Sequence, residues 1–132
     1  MGSATRFQAR NICDCMLYDR QLFLLELKST KGKSIPFSNF RDKQIEDLIE
    51  ASEFGIKAGV LIEFSDIKEV YYLDIATLAD YIATADRKSI PIAFMQEKGV
   101  QASVSLLQVN IRIDVDKLIE DIKNDKWNWL DY

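Results

Sequence analysis

Histidine is absent from this chain of 132 residues and cysteine occurs only twice, so a structural zinc site of the usual Cys/His composition lacks its ligands. Cys13 and Cys15 stand two apart in an extended segment. A disulfide between them is implausible, and they read as small buried hydrophobes packing on one side of a strand. Cysteine usage of this kind fits a reducing cytoplasm. No apolar run approaches the roughly 20 residues that span a bilayer, and no secretory signal is visible. The spaced glycines of a Walker phosphate loop are missing, with only Gly32-Lys33-Ser34 resembling its end. Internal repeats, low-complexity tracts and a dividing linker are all lacking. So is a positive net charge: the balance is −4, which weakens any binding of polyanions through the field of the whole molecule.

What is present supports a folded globule. A hydrophobic fraction of 48% over this length suits one domain with a real core, spanning residues 1–132. Met1-Gly2-Ser3-Ala4 looks like an expression remnant, and residues 1–5 are expected to add nothing to the fold. Asn11 to Tyr18 and the segment opening with Leu22-Phe23-Leu24-Leu25 read as strands joined by Asp19-Arg20-Gln21. A polar loop follows through Ser34, and Pro36 keeps that stretch from forming a regular central strand. Ser38 or Asn39 is placed to cap a helix reaching about Phe54, with Ile45, Leu48, Ile49 and Ser52 on its apolar side and Gly55 as the stop. Ala58 to Phe64 and Val70 to Leu73 predict a second hairpin, and Asp74 caps a helix ending near Asp86. Ser89-Ile90-Pro91 is expected to start a short helix through about Glu97. Short strand is expected within 104–113, followed by an amphipathic helix from Val115 to Ile122. Trp127, Trp129 and Tyr132 read as a flap over the core or a subunit contact, with base stacking as the weaker alternative. The economical fold is α/β, of the mixed α+β kind: one mixed sheet flanked by helices, in the order hairpin, helix, hairpin, helix.

Chemistry concentrates on the first hairpin. Alternation along a strand sends Glu26 and Lys28 to one face and Leu25 and Leu27 to the other. If Asp19 to Gln21 form a three-residue loop, Tyr18 pairs with Leu22 and Asp14 falls opposite Glu26. Opposed carboxylates about 5 Å apart at Cβ can bridge one cation, whereas a two-residue loop would put them on opposite faces. Like charges paired in this way need a metal ion or Lys28 between them. Taken alone, the same residues also describe a solvated hairpin face with two acids and a lysine. Gln44 lies on the following helix, one position from its apolar stripe, and so within reach of the hairpin.

The charge is unevenly spread. From Lys28 to Lys43, five cations (Lys28, Lys31, Lys33, Arg41 and Lys43) face the single acid Asp42, a net of +4 that leaves −8 for the rest of the chain. A basic segment beside the paired acids suits phosphate contact with salt-sensitive affinity, although Lys31 and Lys33 also fit a merely solvated loop.

With these residues in view, the chain resembles the RecU-type Holliday junction resolvases of the PD-(D/E)xK nuclease superfamily, in a bacterial or phage version. Asp14, Leu24-Leu25-Glu26-Leu27-Lys28-Ser29, Ser34-Ile35-Pro36-Phe37-Ser38 and Gln44-Ile45-Glu46-Asp47-Leu48 match in order. So do Gly59-Val60-Leu61-Ile62, Val70-Tyr71-Tyr72-Leu73 and Lys88-Ser89-Ile90-Pro91, over roughly residues 10 to 115. The resemblance implies a restriction-endonuclease-like core. It also implies a Mg²⁺-dependent endodeoxyribonuclease, with Mn²⁺ as a substitute, acting on four-way or other branched DNA as a homodimer. Carried over to this chain, it makes Asp14, Glu26 and the Leu27 carbonyl metal ligands. Lys28 and Gln44 become site residues that orient water and metal, and Thr30, Lys31 and Lys33 hold the strand, with Arg41 and Lys43 beside them. Only Arg6 to Arg10 precede the first strand, too short for the family's upstream acidic helix and stalk. Cleavage chemistry is therefore implied more directly than junction selectivity. The alternatives are a less selective nuclease of the same superfamily and a module that binds branched DNA or protein without cutting.

Overall fold

The structure, a computed structural model, describes residues 13–107 and 110–124. In chain order the elements are β1 (Cys15–Tyr18), β2 (Leu22–Thr30), β3 (Ser34–Pro36), α1 (Asp42–Glu53), β4 (Lys57–Phe64), β5 (Glu69–Asp74), α2 (Ile75–Thr84), β6 (Ser89–Pro91), α3 (Ile92–Lys98), β7 (Val100–Ala102), β8 (Val104–Leu107), β9 (Asn110–Ile113) and α4 (Val115–Lys123). The main sheet has the order β1-β2-β4-β5-β7. β2 and β4 run parallel, joined by the crossover helix α1, and every other pairing in that sheet is antiparallel. The mixed sheet and the hairpin, helix, hairpin, helix order are as the sequence predicts.

Alternation along β2 and β4 divides the interior in two. Leu24, Val60 and Ile62 pack under α1 and α2 with Leu48, Ile75 and Leu78. Phe23, Leu25 and Leu61 pack on the opposite face with Leu118 and Ile122 of α4. Near-continuous burial along β4 follows from its position between two strands with helices over both faces. Asp74 caps α2 as expected, its carboxylate accepting from the Ala76 amide at 3.2 Å.

Several local expectations are corrected. The start of α1 lies beyond Ser38 and Asn39, which sit in a single 3-10 turn (Phe37–Asn39). Its first turn is closed instead by Gln44, whose side-chain oxygen accepts from the Arg41 amide at 3.1 Å. The short helix expected here is α3, which begins at Ile92 with Pro91 at its N-cap, while Ser89–Pro91 itself is strand, paired antiparallel with Ser34–Pro36 in a separate two-stranded ribbon, so more than one sheet is present. Cys13 and Cys15 do not share a side. Cys13 lies before the regular strand and packs on the α1 face, while Cys15 packs on the α4 face; both thiols are free and half-buried. Residues 1–12 and the Trp127, Trp129 and Tyr132 segment lie outside the described residues.

Candidate functional site

The hairpin has the register that a three-residue connection demands. Tyr18 pairs with Leu22 and Cys15 with Leu25, which carries Asp14 to the position opposite Glu26. Arg20 takes the left-handed conformation (φ 60°) that a loop of this length places at one residue. The Leu27 amide donates to the Asp14 carboxylate at 3.0 Å, fixing its direction. A strand residue projects its N–H and C=O to the same side, so the Leu27 carbonyl also faces the β1 edge of the strand.

Glu26, 4% exposed, points to the α1 face as alternation predicts. It accepts a hydrogen bond from Gln44 Nε2 at 2.7 Å and lies 3.7 Å from Lys28 Nζ. Lys28 in turn donates to Gln44 Oε1 at 3.2 Å. One amide thus holds the acid with its nitrogen and the amine with its oxygen, and the same oxygen also takes the Arg41 amide that begins the helix. The helix start and the site therefore share a side chain. Asp14, Glu26, Lys28 and Gln44 are brought together.

Burial, and then the nearby charge of Asp14, push the Glu26 carboxyl above the ordinary carboxylate range, against the opposing pull of Lys28. A lone lysine does not balance two adjacent acids. That donor set fits a hard cation ligated by oxygen. Among the described residues no group of three or more His, Cys, Asp or Glu converges. A folded pKa above the unfolded one means that the native state binds more protons. Stability then falls as pH rises through the glutamate range, and the ionised Glu26 is a cost at neutral pH. Glu26→Gln keeps an acceptor for Gln44 while removing the charge. In chelator at pH 7 this variant is expected to melt above the parent protein, and added Mg²⁺ is expected to raise the melting temperature of the parent only.

Of the basic segment, it is Lys28 that contacts Glu26 and the Gln44 side chain through its own side chain. Thr30, half-buried, spends its hydroxyl on the Ser34 carbonyl at 3.1 Å. Lys31, Lys33 and Arg41 are exposed. Lys43 is engaged by the buried Asp47 at 3.4 Å, so it is the least available of these cations. Asp47 is a neighbour that sequence reasoning did not single out, although its spacing of three from Gln44 puts it on the same side of the helix.

A mixed sheet with an acid opposite an acid-x-Lys strand, served by a glutamine on the crossover helix, is a restriction-endonuclease-like core. The profile of the family RecU, Recombination protein U, matches residues 4–121, and the chain belongs to that family. The SPbeta prophage-derived uncharacterized protein YotM of Bacillus subtilis (strain 168) is 32% identical over 131 residues, covering 86% of this chain and 67% of that protein. The Holliday junction resolvase RecU of Pediococcus pentosaceus is 29% identical over 102 residues (72% of this chain, 49% of that protein). The one from Shouchella clausii is 37% identical over 83 residues (61% and 40%). The chain thus spans less than half the length of these two resolvases. Among solved structures, Hjc of Archaeoglobus fulgidus, a Holliday junction resolvase from an archaeal hyperthermophile, superposes with a TM-score of 0.51 at 15% identity, covering 76% of this chain and 79% of that one. That likeness concerns the fold.

Proposed function

We propose that this chain is a metal-dependent, structure-selective DNA endonuclease of the Holliday junction resolvase kind, hydrolysing phosphodiester bonds at branched DNA in the cytoplasm. The observation that carries the reading is the convergence of Asp14, Glu26, Lys28 and Gln44 on one hairpin face, in a chain of the RecU family. Asp14, Glu26 and the Leu27 carbonyl would hold Mg²⁺, or Mn²⁺ in its place. Such an ion supplies positive charge to the scissile phosphate and lowers the pKa of a bound water. Lys28 holds a fixed positive charge where negative charge grows in the transition state, and its tether to Gln44 keeps it from wandering. Gln44 locks the acid and the amine in one geometry. Lys31, Lys33 and Arg41 hold the strand, with Thr30 fixing the loop that bears the lysines. Two copies acting as a homodimer would offer one site to each of two strands.

A mobile four-way junction, a flap and a linear duplex of the same sequence, each incubated with protein and Mg²⁺, test this reading. Cutting of the junction well above the duplex is expected. Equal cutting would make the chain a less selective nuclease, and binding without metal-dependent hydrolysis would make it a non-cutting module. The acidic overall charge, a net of −4, is the feature that favours the latter.

A further inference from the structure

The ribbon β3–β6 carries cations at both of its ends. At one end the Ile92 amide donates to the Lys33 carbonyl at 2.8 Å, and at the other the Phe37 amide donates to the Lys88 carbonyl at 2.9 Å. Between them Ser34 pairs with Pro91, Ile35 with Ile90 and Pro36 with Ser89. Ile35 and Ile90 are fully buried in the cluster under α1, so the ribbon is pinned to the core on the sheet face that also bears Glu26 and Lys28. Lys33 and Lys88 each stand one residue before a strand of the ribbon, and both are exposed. The two lysines therefore lie at opposite ends of the ribbon. Four residues of strand separate them, about 13 Å, the rise of roughly four base steps along a nucleic-acid strand.

Arg87 and Lys88 are both exposed, and neither has an ion pair among the described residues. They line an open groove of about 540 Å³ together with Phe37, Ser38 and Ile82. Asp86 also lines it, leaving a net of +1 at that corner. We propose that Arg87 and Lys88 form a second phosphate-binding point, which grips the DNA backbone at the far end of the ribbon from Lys31 and Lys33. This rests on the endonuclease reading and extends the basic surface to residues more than 40 positions beyond the segment that sequence charge singles out. The competing role is local: two cations just past the last turn of α2 would offset the negative end of that helix.

Anisotropy titrations of a labelled four-way junction in chelator, repeated across salt concentrations, separate the two roles when paired with thermal melting. For the double variant Arg87→Ala/Lys88→Ala we expect affinity to fall roughly tenfold near 0.1 M salt. The slope of log K against log[salt] should become shallower by about 1 to 2, with the melting temperature held. Lys31→Ala/Lys33→Ala serves as the matched control and should lose a similar slope. Parent-like affinity and slope, with or without a fall in melting temperature, would overturn the proposal while leaving the endonuclease reading intact. Failure of the parent protein itself to bind any DNA would overturn both.

Discussion

Lys28→Ala, Glu26→Gln and Asp14→Asn are each expected to lower metal-dependent cutting of branched DNA by about 10²–10³-fold or more, while DNA affinity stays within a few-fold. In the proposed function these three groups would act where charge develops and where a cation would be held. The phosphate contacts that set affinity fall, on the same proposal, to other residues, the exposed Lys31, Lys33 and Arg41. Gln44→Ala should be milder, about 10–100-fold, because its side chain orients Glu26 and Lys28 and does not replace either. Single-turnover cleavage of a synthetic junction measures all four. Full activity in Lys28→Ala or in either acid variant would remove the site from this hairpin.

The largest expected loss of stability comes from one methyl group. Gly59 lies in β4 between Leu25 of β2 and Asp74 of β5. A Cβ there would stand 2.5 Å from the Leu73 carbonyl oxygen and 2.6 Å from the Tyr72 ring. Neither neighbour can yield cheaply. The carbonyl belongs to the sheet, and the fully buried Tyr72 is tied by its hydroxyl to the Ala58 carbonyl and to Asp74. Gly59→Ala is therefore expected to cost about 3 kcal/mol, at the upper end of overpacking, and to lower the melting temperature by roughly 10 °C. A variant melting within a degree or two of the parent would contradict this packing.

The register of the first hairpin was legible because loop length alone sets parity: three residues bring Asp14 and Glu26 to one face, and two would separate them. The position of Gln44 was legible from helical spacing, but its two partners were not, since they depend on where the crossover helix lies over β2. The ribbon β3–β6 was hidden for a different reason. Its strands are three residues each, both contain proline, and they find one another across more than 50 positions, so neither has a period of its own to read. Cys13 defeated the alternation argument because regular strand begins only at Cys15. The late start of α1 followed from competition: Gln44 closed the first turn, and Ser38 and Asn39 were left to a separate tight turn.

The position of β1 determines how the acidic pair comes apart. Among the described residues this short strand pairs in the sheet with β2 only, with Met16 and Tyr18 largely open to solvent, whereas Glu26 belongs to an interior strand with partners on both sides. Peeling the border ribbon away withdraws Asp14 and uncovers the core where Cys15 and Leu17 pack, while Glu26, Lys28 and Gln44 keep their contacts with one another. An ion held between the two acids would thus have an exit through local opening of four border residues, short of unfolding the whole domain.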